Sequence, residues 1–218
     1  MNLFGQFKKG SVAVFVALAL NSVALESYAE AIDTENVYAT VNVSSDQKLV
    51  RYFFSYTCPY CRKYDSSMSR WGKTLPKPMR FIRTPVITDN ENSVTGAYGY
   101  YTVLQAMPTK LDAYQDTVYT NIQDRGLSAD DLNTYLISAI QIGIPRDLFI
   151  RTWKLDSTRN LVNNASILGS KYNVRRTPTI GVGGKYSFDP EILNSGSLDL
   201  YTFSNVMVSK YIQERGSF

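Results

Sequence analysis

The chain has no histidine and only two cysteines among its 218 residues. A structural zinc site draws four ligands, mostly from those two residue types, so no metal site is expected. Long apolar runs are also scarce. Past the first thirty or so residues, no segment is apolar enough to cross a bilayer. Charge of one sign is not in excess either: 23 basic residues stand against 19 acidic ones, a formal balance of +4. No basic stripe with interleaved aromatics appears, and no nucleic-acid partner is expected. Repeats and low-complexity tracts are missing too, which points to ordinary globular organisation.

What is present is concentrated. Both cysteines stand in Ser55-Tyr56-Thr57-Cys58-Pro59-Tyr60-Cys61. An apolar strand candidate, Leu49 to Tyr56, leads into the pair, and an amphipathic helix candidate, Arg62 to Trp71, leads out. Cys-x-x-Cys at a strand-to-helix junction reads as a thioredoxin-type redox centre. Cys58 at the helix N-terminus would meet unpaired N–H groups and the positive end of the helix dipole, which favour a thiolate. Pro59 suits the first helical position, where its missing donor has no intrahelical partner. Cys61, one turn further on, can attack a mixed disulfide formed at Cys58. A purely structural disulfide here would close too small a loop to constrain the unfolded chain much.

The N-terminus suggests where such a pair would work. Lys8 and Lys9 precede an apolar run from Val12 to Leu20, followed by Glu26-Ser27-Tyr28-Ala29-Glu30-Ala31. That order predicts a signal peptide over residues 1–29, with cleavage after Ala29 or Ala31. No cysteine lies near that site, which removes the bacterial lipoprotein option. Cleavage takes away Lys8, Lys9 and Glu26 and lowers the net charge by one. The remaining length can bury one good core, and sixteen tyrosines and ten phenylalanines should supply much of it.

Val37 to Val43 alternates like a strand, and Met79 to Thr84 reads as the strand after the redox helix. Residues 89–164 then look helical. Candidates are Ser93 to Met107, a helix capped at Ser128-Ala129-Asp130-Asp131 and closed by Gly143, and a short helix opened by Pro145. A further helix starts at Asp156, with Leu161, Ala165 and Leu168 inward. Strand signals return in Thr179 to Val182 and Lys185 to Phe188 around Gly183-Gly184. A final helix places Phe203, Val206, Met207, Lys210 and Tyr211 on one face.

Two segments carry a family resemblance. One is Tyr52-Phe53-Phe54-Ser55-Tyr56-Thr57-Cys58-Pro59-Tyr60-Cys61. The other is Arg176-Thr177-Pro178-Thr179-Ile180-Gly181-Val182-Gly183-Gly184-Lys185-Tyr186. Together they resemble the periplasmic thiol:disulfide oxidoreductases of the DsbA type. The resemblance implies an α/β chain with a thioredoxin-like fold, residues 30–88 and 165–218, interrupted by an inserted helical domain, 89–164. It implies Cys58 as nucleophile, Cys61 as resolving thiol, and Pro59 and Tyr60 as the dipeptide that tunes them. Thr177 and a cis Pro178 become the substrate-docking loop, with Tyr56 and Tyr60 offering nearby apolar surface. No cofactor is implied. Expected partners are reduced exported proteins in the periplasm and a DsbB-like quinone-linked membrane protein that reoxidises a monomeric enzyme.

Three positions depart from the family pattern. Tyr60 stands where strongly oxidising members carry histidine, and Tyr52 where a buried acid is common. Thr177 replaces an apolar residue and resembles the disulfide isomerases. With no histidine beside the thiolate, the expected potential lies between thioredoxin and DsbA, about −270 and −120 mV. Cys-Pro-Tyr-Cys is also the glutaredoxin motif, but glutaredoxins are shorter and lack the helical insertion. The short stretch before the first strand leaves no room for a DsbC-type dimerisation domain. The competing reading is a binding module, a periplasmic chaperone or assembly factor whose thiols are secondary.

Overall fold

The computed structural model describes residues 37–88, 91–190 and 199–216. The expected signal peptide and both cleavage positions lie outside the described residues. Five strands form one sheet in the order β1-β5-β4-β2-β3. They are β1 Ala39–Thr40, β2 Leu49–Phe54, β3 Arg80–Pro85, β4 Thr179–Val182 and β5 Tyr186–Phe188. β2 runs parallel to β3 and antiparallel to β4, with Tyr52 opposite Arg83 on one side and Ile180 on the other. A strand buried on both faces reads as a continuous apolar run, and β2 divides its side chains accordingly. Val50, Tyr52 and Phe54 enter the main core, while Phe53 packs with Val43, Leu168 and Tyr172 on the opposite face. Arg51 shares that second face. It is held by Asp46 at 2.7 and 2.9 Å and by Thr84 at 2.7 Å.

Helix α1, Pro59–Gly72, links β2 to β3. Between β3 and β4 come α2 Glu91–Ala106, α3 Leu111–Tyr119, α4 Leu132–Gln141, α5 Arg146–Trp153 and α6 Asp156–Lys171, and α7 Leu200–Arg215 follows the sheet. This is an α/β thioredoxin fold with a helical insertion. Tyrosine fills much of the core, as the composition suggested: Tyr52, Tyr114, Tyr119, Tyr135, Tyr172 and Tyr211 are all buried.

The first strand is shorter than expected. Only Ala39–Thr40 pairs regularly with β5, although Val41 and Val43 still donate to the carbonyls of Lys185 and Gly184. The Gly183-Gly184 turn explains the break. Both residues have positive φ, and a Cβ on Gly184 would lie 2.0 Å from the Val43 carbonyl oxygen. Helix α4 begins later than expected. Asp131 is itself the N-cap, accepting from the Asn133 N–H, so Ser128 belongs to the preceding turn. Helix α3 and the π-helical segment that continues it, Thr120–Asp124, were not singled out in the sequence. Gln115 is fully buried on α3 and breaks the apolar stripe that would have revealed the helix.

Candidate active site

Cys58 is the N-cap of α1. Its backbone is extended (φ −89°, ψ 116°), and its sulfur accepts from the Cys61 N–H at 3.3 Å. Pro59 opens the helix. The geometry read from the motif is therefore present: a sulfur facing the unpaired end of a helix. Cys58 is half-buried and Cys61 buried, and both are free thiols. Residues 119 positions apart meet here, because the Cys58 thiol donates to the Thr177 carbonyl at 3.1 Å. The Thr177–Pro178 peptide is cis.

The two thiols have opposite acidities. Cys58 is lowered to about 6, chiefly because the Cys61 thiol hydrogen-bonds its sulfur. Burial works against that. The Thr177 hydroxyl and the N–H groups of Cys61 and Tyr60 support it. Burial pushes the Cys61 thiol well above its ordinary value, and its bond to Cys58 adds to the effect. A hydrogen-bonded, partly exposed thiolate beside a buried neutral thiol is an arrangement suited to disulfide exchange.

Surrounding residues fall into three groups. Tyr60, 61% exposed, shares a cavity of about 310 Å³ with Tyr64, Arg176, Thr177, Pro178, Asp189 and Pro190. Tyr56 does not stand at this surface, contrary to expectation. It is buried, its hydroxyl donates to Gln115, and its ring packs edge-on against Phe54 and Tyr119. As the continuation of β2 it takes the inward side of the chain, so Tyr60 and Tyr64 provide the aromatic surface instead. Behind the thiols, Tyr52 donates to the Cys61 carbonyl at 3.0 Å. Arg83 grips the buried Asp65 through two bonds of 2.9 and 2.7 Å.

Arg62 lies one residue past the pair, and its cation is taken up by Asp124 at 2.5 and 2.6 Å on the exposed side. It adds no bare charge to the thiolate. Gln123, which no motif marks, donates to the carbonyls of Tyr56 at 2.8 Å and Cys58 at 3.2 Å. Among the described residues, no group of three or more cysteine, histidine or carboxylate side chains could hold a metal ion, and no helix is long and apolar enough to cross a membrane.

A model of the family described as thioredoxin matches residues 44–193. The chain belongs to the thioredoxin family. Within that family its likeness is to the DsbA proteins. It is 26% identical over 136 residues to the thiol:disulfide interchange protein DsbA of Pseudomonas syringae, covering 62% of each chain. It is 29% identical over 138 residues to that of Bordetella pertussis, covering 63% of this chain and 64% of the relative. The chain thus matches less than two thirds of the length of these curated relatives. Among solved structures, Pseudomonas aeruginosa DsbA superposes with a TM-score of 0.68 at 22% identity, over 82% of this chain and 91% of that one. The DsbA of Proteus mirabilis gives 0.69 at 16% identity, over 80% and 94%. These structures share the fold of the family member described here, insertion included.

Proposed function

We propose that the chain is an exported thiol:disulfide oxidoreductase that passes a Cys58–Cys61 disulfide to folding proteins. The observation that carries this is the pairing of a half-exposed, acid-shifted Cys58 thiol with a buried Cys61 thiol beside the Thr177–Pro178 loop. In the oxidised protein, a client thiolate attacks Cys58 Sγ, the Cys58–Cys61 bond breaks, and Cys61 leaves and takes up a proton. A second client thiolate then attacks the client sulfur of the mixed disulfide. The client gains a disulfide, Cys58 departs as its stabilised thiolate, and two electrons have moved to this protein. The high acidity of the leaving Cys58 sulfur speeds that last step.

In this reading Pro59 and Tyr60 tune the pair, and the client lies extended along Thr177 and Pro178 with apolar side chains toward Tyr60 and Tyr64. Residues 89–164 serve as the helical insertion. A DsbB-like quinone-linked membrane protein restores the disulfide, and the enzyme acts as a monomer in the periplasm. N-terminal sequencing of the exported protein should begin at Glu30 or Ile32. The decisive experiment is oxidation of a reduced client protein by the wild type and by Cys58→Ser. Loss of disulfide formation is expected, and full activity in that variant would leave only the chaperone or assembly-factor reading. Cys61→Ala should trap mixed disulfides at Cys58 and so identify the clients.

A further inference from the structure

We propose that Gln123 is a positioning residue of the redox pair: reaching from the helical insertion, its amide fixes the Cys58 loop through the backbone, while Thr177 meets the sulfur. The inference rests on Cys58 being the attacking thiol. Both amide hydrogens are committed, one to the Tyr56 carbonyl at 2.8 Å and one to the Cys58 carbonyl at 3.2 Å. These two carbonyls flank the start of the motif. The second also accepts the Arg62 N–H at 3.3 Å. The direction of the Cys58 carbonyl is set by the same ψ angle that turns its sulfur toward the N–H of Cys61. A donor that holds this carbonyl therefore fixes the backbone torsion on which the sulfur's place over the helix end depends.

The local helix geometry supports a dedicated role. In an uninterrupted α-helix, Gln123 would point about 80° away from Gln115, eight residues earlier. The π turn absorbs one residue, closed by Arg125 N–H to Thr120 O at 3.1 Å, and brings the two amides to within about 20° of one face. Gln115 then holds the Tyr56 hydroxyl and, at 3.4 Å, Asp65 in the middle of α1. Gln123 takes the backbone on either side of Thr57. One strip of the insertion thus grips the redox element along its length. A wide helical turn aimed at a catalytic loop is more than domain packing requires.

The test uses the full mature protein with Gln123→Met, which keeps the length and removes both donors, and Gln123→Glu, which turns the donor into an acceptor. Asp124→Asn is the control for local charge, because it changes the neighbouring exposed ion pair and spares the carbonyls. Thiolate absorbance should titrate near 6 in the wild type. In Gln123→Met the midpoint should move upward, and the equilibrium constant against glutathione should fall about threefold to tenfold toward the oxidised form, the upper end being about 30 mV. Gln123→Glu should go further, and Asp124→Asn, which frees the Arg62 cation, should leave the midpoint at or below the wild-type value. Heat denaturation should show the reduced form of Gln123→Met losing more stability than the oxidised form. Equal destabilisation of both forms, with titration and equilibrium unmoved, would reduce Gln123 to domain packing and overturn the inference. An equal shift in Asp124→Asn would also overturn it. A wild type without any acid-shifted thiol would instead remove the functional reading on which it rests.

Discussion

Cys58 and Cys61 share one helical turn, yet hydrogen bonding and burial pull their titrations apart, and the reactive range follows. Alkylation of the reduced protein should be selective for Cys58. Its rate should rise with pH through about 6 and level off well below the ordinary cysteine value of 9.0. A profile still climbing at pH 8 would contradict the assigned acidity. A midpoint of about 6 would lie between the ~7 of thioredoxin and the ~3.5 of DsbA, and the potential expected from the absence of histidine is checked by a glutathione titration. Tyr60 is exposed, so exchange for histidine meets no packing barrier. Tyr60→His should lower the Cys58 midpoint and make the disulfide more oxidising in a glutathione titration. No change would show that this position is not the controlling one. At this scale the motif made Cys58, Pro59 and Cys61 legible, and the proline loop did the same for Thr177 and Pro178. Gln123 was not legible, because a side-chain amide that bonds backbone carbonyls leaves no spacing to read. Tyr56 was placed on the wrong side because adjacency to an exposed motif says nothing about which face a strand presents.

Between elements, a buried ion pair joins α1 to β3. Asp65 and Arg83 are both buried and share two hydrogen bonds, and Arg83 also reaches Asp112 at 2.7 Å. Removing one partner of such a pair strands the other charge in the core. Arg83→Met should therefore cost about 3–5 kcal/mol in chemical denaturation. The double variant Asp65→Leu with Arg83→Met should recover most of that loss. Equal stability of Arg83→Met and wild type would mean that water reaches Asp65. The hairpin turn offers a backbone counterpart. Gly183 has φ +62°, and a Cβ there would lie 2.1 Å from the Tyr211 ring. Gly183→Ala should lower the melting temperature through both effects. The dense apolar run of β2, the capped and amphipathic α1, and α7 with Phe203, Met207 and Tyr211 inward could be read from the sequence. Helix α3 could not, since Tyr114, Gln115, Val118 and Tyr119 bury a polar amide within its inward stripe. The π turn was equally hidden, because no residue type specifies it.

For the molecule as a whole, the acid-shifted thiol links redox state to stability. Cys58 is depressed in the fold relative to an ordinary cysteine. Its contribution to the reduced form is therefore complete above the ordinary value and is lost as pH falls through about 6. The reduced protein should lose melting temperature relative to the oxidised one when the pH is lowered from 8 to 5. A constant difference across that range would contradict the link. The same architecture has a consequence in time. Cys58 and the Thr177 carbonyl that meets it are 119 residues apart, roughly 400 Å of extended chain. A polypeptide made N-terminus first presents both thiols long before Gln123 emerges, and Gln123 before Thr177. During that interval the cysteines are ordinary thiols on an unfinished chain, without the contacts that sharpen Cys58. The contacts that set Cys58 apart are complete only once the chain has been made as far as Thr177.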